Sequence, residues 1–423
     1  MKRTVTLVLA SGLMATTALS AAQSADLRVS WWGGDARHTA TQEALQICGE
    51  KYGHNISPEF TGFDGHLERL TTQLAGGTEP DLMQVNWPWL PLFSPDGTGL
   101  ADLNDYADII DLSQWSDSLL ATGTRNGHLN GLPVSITGRV LFANTDAFEA
   151  AGVDVPDSWD GMIEAAAAFK SELGEDYYPF DAAGYNAMLI TALYASQKTG
   201  VGFIDPVTNE IAWDAATLAE AITFYQGLVD NGVVKSWEAI AGMGNPNLQE
   251  RGDWAAGEVA SSYEWNSTYS QISGPFEGES PLAPFPAPRI EGAVNDGIFR
   301  KPSMTFAISA NSDNPEAAAE ILNCLMVEED GVIPMGTQRA IPASQAAVEI
   351  LDAEGLLASA DLEANRLVLE ADAPEPSPYF EDPGVRTAYE GVLEEFAYGL
   401  LSAEEAAQAI IDGSNDALAR ATR

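Results

Sequence analysis

The chain of 423 residues has two cysteines, Cys48 and Cys324, and four histidines. Zinc sites of the paired CxxC type are thereby excluded, and no HExxH pattern places two histidines on one helix face. Bases are scarce as well: 20 Lys and Arg stand against 62 Asp and Glu, a formal charge of −42. So negative a field repels phosphate backbones, which argues against a nucleic-acid partner. It also fits a protein kept soluble in a salty medium, where ions screen the self-repulsion. Beyond the N-terminus no apolar run approaches the roughly 20 residues of a membrane helix. Catalytic signatures are missing too, with no GxSxG, GxxxxGK[ST] or GxGxxG. The reading calls for no metal and no cofactor.

The first residues are of another kind. Lys2 and Arg3 precede an apolar run from Val5 to Leu19 and the small residues "SAAQSA". This is the pattern of a secretory leader over 1–24, with cleavage favoured after Ser24. Export permits a Cys48–Cys324 disulfide, but two buried thiols fit the spacing equally well. Roughly 400 remaining residues exceed a single core and predict two domains.

Alternation of apolar runs and helical patterns sets the architecture. "LRVSWW", "ISPEFTGF" and "PDLMQVNW" read as strands, separated by helices that close at Gly53 and at Gly76–Gly77. Strand, helix, strand, helix, strand predicts an α/β class with a mostly parallel, helix-covered sheet. Ligands of such sheets gather in the loops beyond the C-terminal strand ends. Those loops are "WWGGDARH", "TGFDGH" and "NWPWL", which single out Trp32, Asp35, Arg37, His38, Asp64, His66, Asn86, Trp87 and Trp89. Two long extended runs, near 131–144 and 298–309, are where the chain is expected to cross between lobes.

The loops join aromatic rings to polar and charged groups. Rings stack on the C–H faces of sugars, and the polar groups take hydroxyls and carboxylates. Among the rare bases, Arg37, Arg69, Arg139, Arg300, Lys301 and Arg339 lie in or beside apolar, glycine-containing segments. Two roles are open for each: an internal salt bridge, or recognition of an anionic ligand. Asp35 and Asp64 have Arg37 and His66 close in sequence, partners that favour a low-pKa acid over a catalytic one. A secreted polysaccharide-active enzyme is therefore the weaker reading.

The segments "SWWGGDARHTATQEAL", "FTGFDGHLERLTTQLAGGTEPDLMQVNWPWL", "NGLPVSITGRVLFAN", "YEWNST" and "SPYFEDP" together resemble extracellular solute-binding proteins of carbohydrate ABC importers. This is the broad family-1 group that includes the maltose-binding proteins, and the likeness is greatest to its oligogalacturonide-binding branch. The resemblance implies two α/β lobes joined by a hinge and closing on a sugar. One lobe would comprise 25–136 and 302–335, the other 137–301 and 336–423. It implies sugar contacts at Asn86, Trp87, Trp89, Trp265 and Asn266, and an aromatic platform completed by Tyr379 or Phe380. Arg139, Lys301 and Arg339 match basic positions of the branch, which usually has an alanine-type residue where Gly138 stands here. A monomer in the periplasm, with an oligosaccharide ligand and membrane permease partners, is the expectation; a neutral-sugar receptor of the same fold is the alternative.

Overall fold

The computed structural model describes residues 24–182, 184–206, 208–244, 246–276, 278, 280–357, 359–374 and 376–422. The leader expected over 1–24 lies, Ser24 apart, outside the described residues.

Among the described residues eleven strands follow in chain order: β1 (Asp26–Trp32), β2 (Asn55–Thr61), β3 (Leu82–Asn86), β4 (Thr124–Arg125), β5 (His128–Leu129), β6 (Leu132–Pro133), β7 (Ile136–Asn144), β8 (Ser261–Trp265), β9 (Leu282–Phe285), β10 (Arg300–Pro302) and β11 (Met304–Ile308). One sheet has the order β2-β1-β3-β11-β6, parallel over its first three strands and antiparallel at β11 and β6. Central β3, "LMQVN", is buried at every residue, its polar Gln84 and Asn86 included, as a strand covered on both faces is. In the second sheet β7 lies between β8 on one side and β10 with β9 on the other, all antiparallel to it. β4 and β5 form a small separate hairpin.

The extended run at 131–144 is two strands in different sheets. β6 belongs to the first and β7 to the second, with Val134 and Ser135 between them. The return crossing runs from β10 through Ser303 to β11. The crossings lie side by side: Val134 N donates to Met304 O at 3.0 Å and Ser303 N to Ser135 O at 2.8 Å. Each of these two crossings is only one or two residues long, and the chain passes over a third time between helix Gln345–Ala353 and helix Ser359–Glu370. The segment around Arg339 attaches to the same place, through Ser135 Oγ to Arg339 O at 2.8 Å and Ala343 N to Val134 O at 2.8 Å.

Helix Asp35–Tyr52 ends at Gly53, whose φ of 76° is the left-handed cap that glycine adopts without strain. It packs Ala44, Leu45 and Cys48 onto the first sheet. Cys48 is disulfide-bonded to Cys324 of helix Pro315–Val327. The bond joins two pieces of one core that lie 276 residues apart in sequence, with the whole second sheet inserted between them. Helix Gln345–Ala353 packs Ala347 and Leu351 beside Val332. Helix Ser359–Glu370 then returns to the second sheet, with Ala364 and Val368 in one cluster with Val140 and Phe142. Among the described residues no helix is long and apolar enough to cross a membrane.

Candidate functional site

The first turn after β1 is shaped around Arg37. A Cβ on Gly33 would lie 2.6 Å from Arg37 Cδ, so glycine is what lets the arginine stem fold back over the loop. Arg37 is 9% exposed. Its Nε donates to Gln338 O at 2.9 Å, Nη2 to Ser267 O at 3.3 Å and Nη1 to Trp32 O at 3.5 Å. Burial lowers its pKa to about 10. Arg339, 3% exposed, donates from Nε to Gln84 Oε1 at 2.8 Å and from Nη2 to Thr41 Oγ1 at 2.9 Å. Its guanidinium lies 5.7 Å from the Phe306 ring centre. Burial, then the nearby charge of Arg37, pushes its pKa well down. Among the described residues neither arginine meets a carboxylate; Arg37 is held by carbonyl oxygens, and Arg339 by amide and hydroxyl oxygens and, from Nη1, by the Met335 sulfur at 3.6 Å.

Next to them, loops from three parallel strands form an aromatic cluster. Trp32 at the end of β1 lies 5.3 Å from His66 and 5.4 Å from Trp89, measured between ring centres. Phe63, beyond β2, stacks on Trp89 at 5.7 Å and meets Trp32 edge-on at 5.7 Å. Trp32, Trp89 and His66 are buried. His66 contacts Thr61 Oγ1 through Nδ1 at 3.0 Å, and burial lowers its pKa to about 4, so the ring is neutral. Trp87 is buried with its indole N–H on Thr122 O at 2.9 Å. Trp31 and His38 belong to a different group, where Trp31 Nε1 donates to His38 Nδ1 at 3.1 Å and Phe60 lies 4.4 Å from the imidazole. Asp35 and Asp64 are exposed.

The second sheet contributes paired cations. Arg139 and Trp265 are register partners on β7 and β8, and the guanidinium sits 4.6 Å from the indole centre. Lys301 Nζ lies 4.9 Å from the same ring. Arg139 is bonded to Glu264 at 3.2 Å and to Asn186 at 3.0 Å. Lys301 is bonded to Glu381 and, at 3.0 Å, to Asn86 Oδ1 at the end of β3 in the other sheet. Burial works against the Glu381 charge, but Lys301 and Arg386 outweigh it and keep its carboxyl below the ordinary range. Asn266 is buried and accepts from Thr137 Oγ1 at 2.8 Å, fixing the turn after Trp265. Phe380, 4% exposed, is packed against Phe299 at 4.5 Å and Phe203 at 6.2 Å, which makes it part of the core. Tyr379 beside it is half-buried.

The remaining rare bases have local roles. Arg69 pairs with Glu59, and Arg300 donates to the carbonyls of Val368, Leu369 and Ala371, capping the end of helix Ser359–Glu370. Sequence reasoning missed Glu264 and Glu381, although "YEWNST" and "PYFEDP" contain them, because nothing local says which acid among 62 faces a cation. It also missed Phe63. Chemically the site offers buried N–H donors, indole and phenyl rings, and carboxylates already satisfied by cations. Among the described residues no group of three or more His, Cys, Asp or Glu is placed to hold a metal ion.

Comparison with known proteins bears on the fold and the family. A periplasmic oligogalacturonide-binding protein from Yersinia enterocolitica, in complex with saturated digalacturonic acid, is 36% identical with a TM-score of 0.90, over 95% of this chain and 100% of that one. A second structure of an oligogalacturonide-binding protein from that organism, also 36% identical, gives 0.74 over 94% of this chain and 100% of that one. A Brucella abortus protein, provisionally named a binding protein, is 27% identical over 189 residues, 44% of this chain and 45% of its own. The match thus spans about half the length of the curated relatives. The family model for the bacterial extracellular solute-binding protein matches residues 38–331. Matched by that model over more than half its length and 36% identical over 95% of its residues to a solved binding protein, the chain belongs to the bacterial extracellular solute-binding protein family.

Proposed function

We propose that this protein is a periplasmic receptor for an acidic, oligogalacturonide-like oligosaccharide, which it delivers to the permease subunits of an ABC importer. The observation that carries the reading is the state of Arg37 and Arg339. In a chain with 62 acids, two buried guanidinium groups meet no carboxylate among the described residues. A ligand carboxylate is the anion that completes such a pair, and guanidinium is the group that takes it in two parallel bonds. Asn86, Trp87 and Trp265 then border the sugar between the lobes, with Trp265 made a stacking surface by its position beside Arg139 and Lys301.

Closure is the second part of the proposal. Lys301 reaches Asn86 and Arg37 reaches Ser267, contacts between groups carried by different sheets. The two Yersinia structures score 0.90 and 0.74 against this chain at the same identity, which supports a fold whose lobes take more than one disposition. We place the lobes at 25–133 with 304–353, and at 136–302 with 359–422. The change from a boundary at 335 follows the packing of helix Gln345–Ala353. The protein would act as a monomer and without nucleic acid.

One observation favours the neutral-sugar alternative: Arg139 and Lys301 already have Glu264 and Glu381, which leaves them no charge to spare. Calorimetric titration with digalacturonate and with a neutral disaccharide decides between the two. Tight binding of the acid alone supports the proposal; equal binding supports the alternative. Shortened products on incubation would instead indicate the enzyme reading.

A further inference from the structure

The three nitrogen atoms of Arg339 are not equally served. Nε and Nη2 each find oxygen, on Gln84 and Thr41, while the acceptor of Nη1 is the Met335 sulfur at 3.6 Å. A thioether is a weak acceptor, so a buried cationic N–H pointed at one is poorly satisfied. Met335 ends helix Glu329–Met335 and is 7% exposed. Both side chains line a pocket of about 330 Å³, part of it open to solvent, whose other walls include Val134 of the first crossing, Met326 and Val332. The pocket has room for a water-sized molecule, and hydrogen peroxide is little larger.

Other sulfur atoms compete little for an oxidant. Both cysteines are joined in the disulfide and offer no thiol. Among the described methionines Met83, Met162 and Met188 are completely covered and Met304 and Met326 nearly so, while Met243 is 43% exposed. Met335 combines an opening to solvent with a guanidinium against its sulfur.

We propose that Met335 is an oxidation site, converted to the sulfoxide by hydrogen peroxide, and that its new oxygen occupies Arg339 Nη1 and weakens sugar binding. The thioether lone pair attacks one peroxide oxygen and the O–O bond breaks. The leaving hydroxide takes the proton of the transferred oxygen and becomes water, so sulfur is oxidised by two electrons and the peroxide reduced by two. A sulfoxide oxygen is a far better acceptor than a thioether sulfur, and the guanidinium therefore holds it. Nη1 is the donor least engaged by the protein, hence the one left for a ligand carboxylate. Once the sulfoxide has it, that carboxylate loses a charge-assisted bond. This rests on the acidic-sugar reading above and extends it to the control of the same site.

The test joins peptide mapping by mass spectrometry to calorimetry, on wild type, Met335→Leu and Met326→Leu, before and after graded peroxide treatment. Met335 should gain one oxygen after Met243 and well before Met83, Met162 and Met188. Affinity of the wild type for digalacturonate should then fall about tenfold, the lower end of what a hydrogen bond to a charged group contributes. The fall should be much smaller for the uncharged methyl ester. Met335→Leu, whatever its starting affinity, should lose nothing further although its Met243 is oxidised, and Met326→Leu should stay sensitive. Melting temperatures should show the oxidised wild type still folded during the titration. The proposal is overturned if Met335 oxidises no faster than the covered methionines, or if its oxidation leaves affinity unchanged. It is equally overturned if the oxidised protein has unfolded, if Met335→Leu loses as much as the wild type, or if acid and ester lose alike. If the untreated wild type binds no digalacturonate, the acidic-sugar reading itself falls, and the control with it, even where Met335 takes up oxygen.

Discussion

Lys301 and Glu381 are bonded to each other inside the protein, each less than a tenth exposed, and come from segments 80 residues apart. The pair is a neutralised charge, not a free cation awaiting a ligand. Removing one member strands the other in a medium that solvates it poorly. Glu381→Gln should therefore destabilise the protein by about 3–5 kcal/mol in chemical unfolding. Joining it with Lys301→Met should restore a large part of the loss. Additive losses would mean that the two residues act independently.

A second charged cluster predicts the acid limb of stability. Burial would raise the Asp253 carboxyl, but Arg251 and Lys235 outweigh it and hold it at about 2. Arg251 reaches Asp253 at 2.9 and 3.0 Å and Lys235 reaches it at 2.5 Å. The unfolded carboxyl titrates near ~3.9. The folded value is the lower one, so the stabilisation is complete above about pH 4 and lost as pH falls toward about 2, some ~2 kcal/mol in all. Unfolding of wild type and Asp253→Asn at several pH values should show the steeper loss in the wild type. Parallel curves would contradict this.

The Cys48–Cys324 bond closes a loop of 276 residues. A cross-link of that span removes much unfolded-chain entropy, on the order of 3–5 kcal/mol. Reductant should lower the melting temperature of the wild type, and the Cys48→Ser/Cys324→Ser variant should melt at that lower temperature with or without reductant. No difference on reduction would indicate that the first core holds its two pieces by packing alone.

Gly138 is explained by a close approach. A Cβ there would lie 2.8 Å from Val368 Cγ1, on a buried face of helix Ser359–Glu370. Overpacking at this contact should make Gly138→Ala cost about 1–3 kcal/mol. Val368→Ala in the same chain should relieve it, so the double variant should be more stable than the sum of the singles predicts. The alanine-type residue of the oligogalacturonide branch would then reflect a different neighbour at this contact.

Much of the scaffold could be read from the chain because its signals are local. Apolar β1 and β3, and the glycines at 53 and 77 that close two helices, announce themselves within ten residues. The crossing did not: 131–144 reads as one extended run because β6, Val134–Ser135 and β7 share a backbone conformation and differ only in which sheet they join. Pairing was hidden for the same reason. Arg139 meets Glu264 and Lys301 meets Glu381, acids 125 and 80 positions away, whereas among the described residues Arg37 and Arg339 meet none. All four look alike in sequence. Aromatic exposure was equally opaque, since Trp32 and Trp89 are covered, Phe380 is core, and Phe63 is left open by how the loops pack.

The most direct test of the acidic-sugar reading compares digalacturonate with its uncharged methyl ester, by calorimetry, for wild type, Arg37→Gln and Arg339→Gln. If these arginines await a ligand carboxylate, the wild type prefers the acid. Each substitution then removes about 2–5 kcal/mol of affinity for the acid and far less for the ester. Equal binding of acid and ester by the wild type, or equal losses for both in the variants, would contradict it.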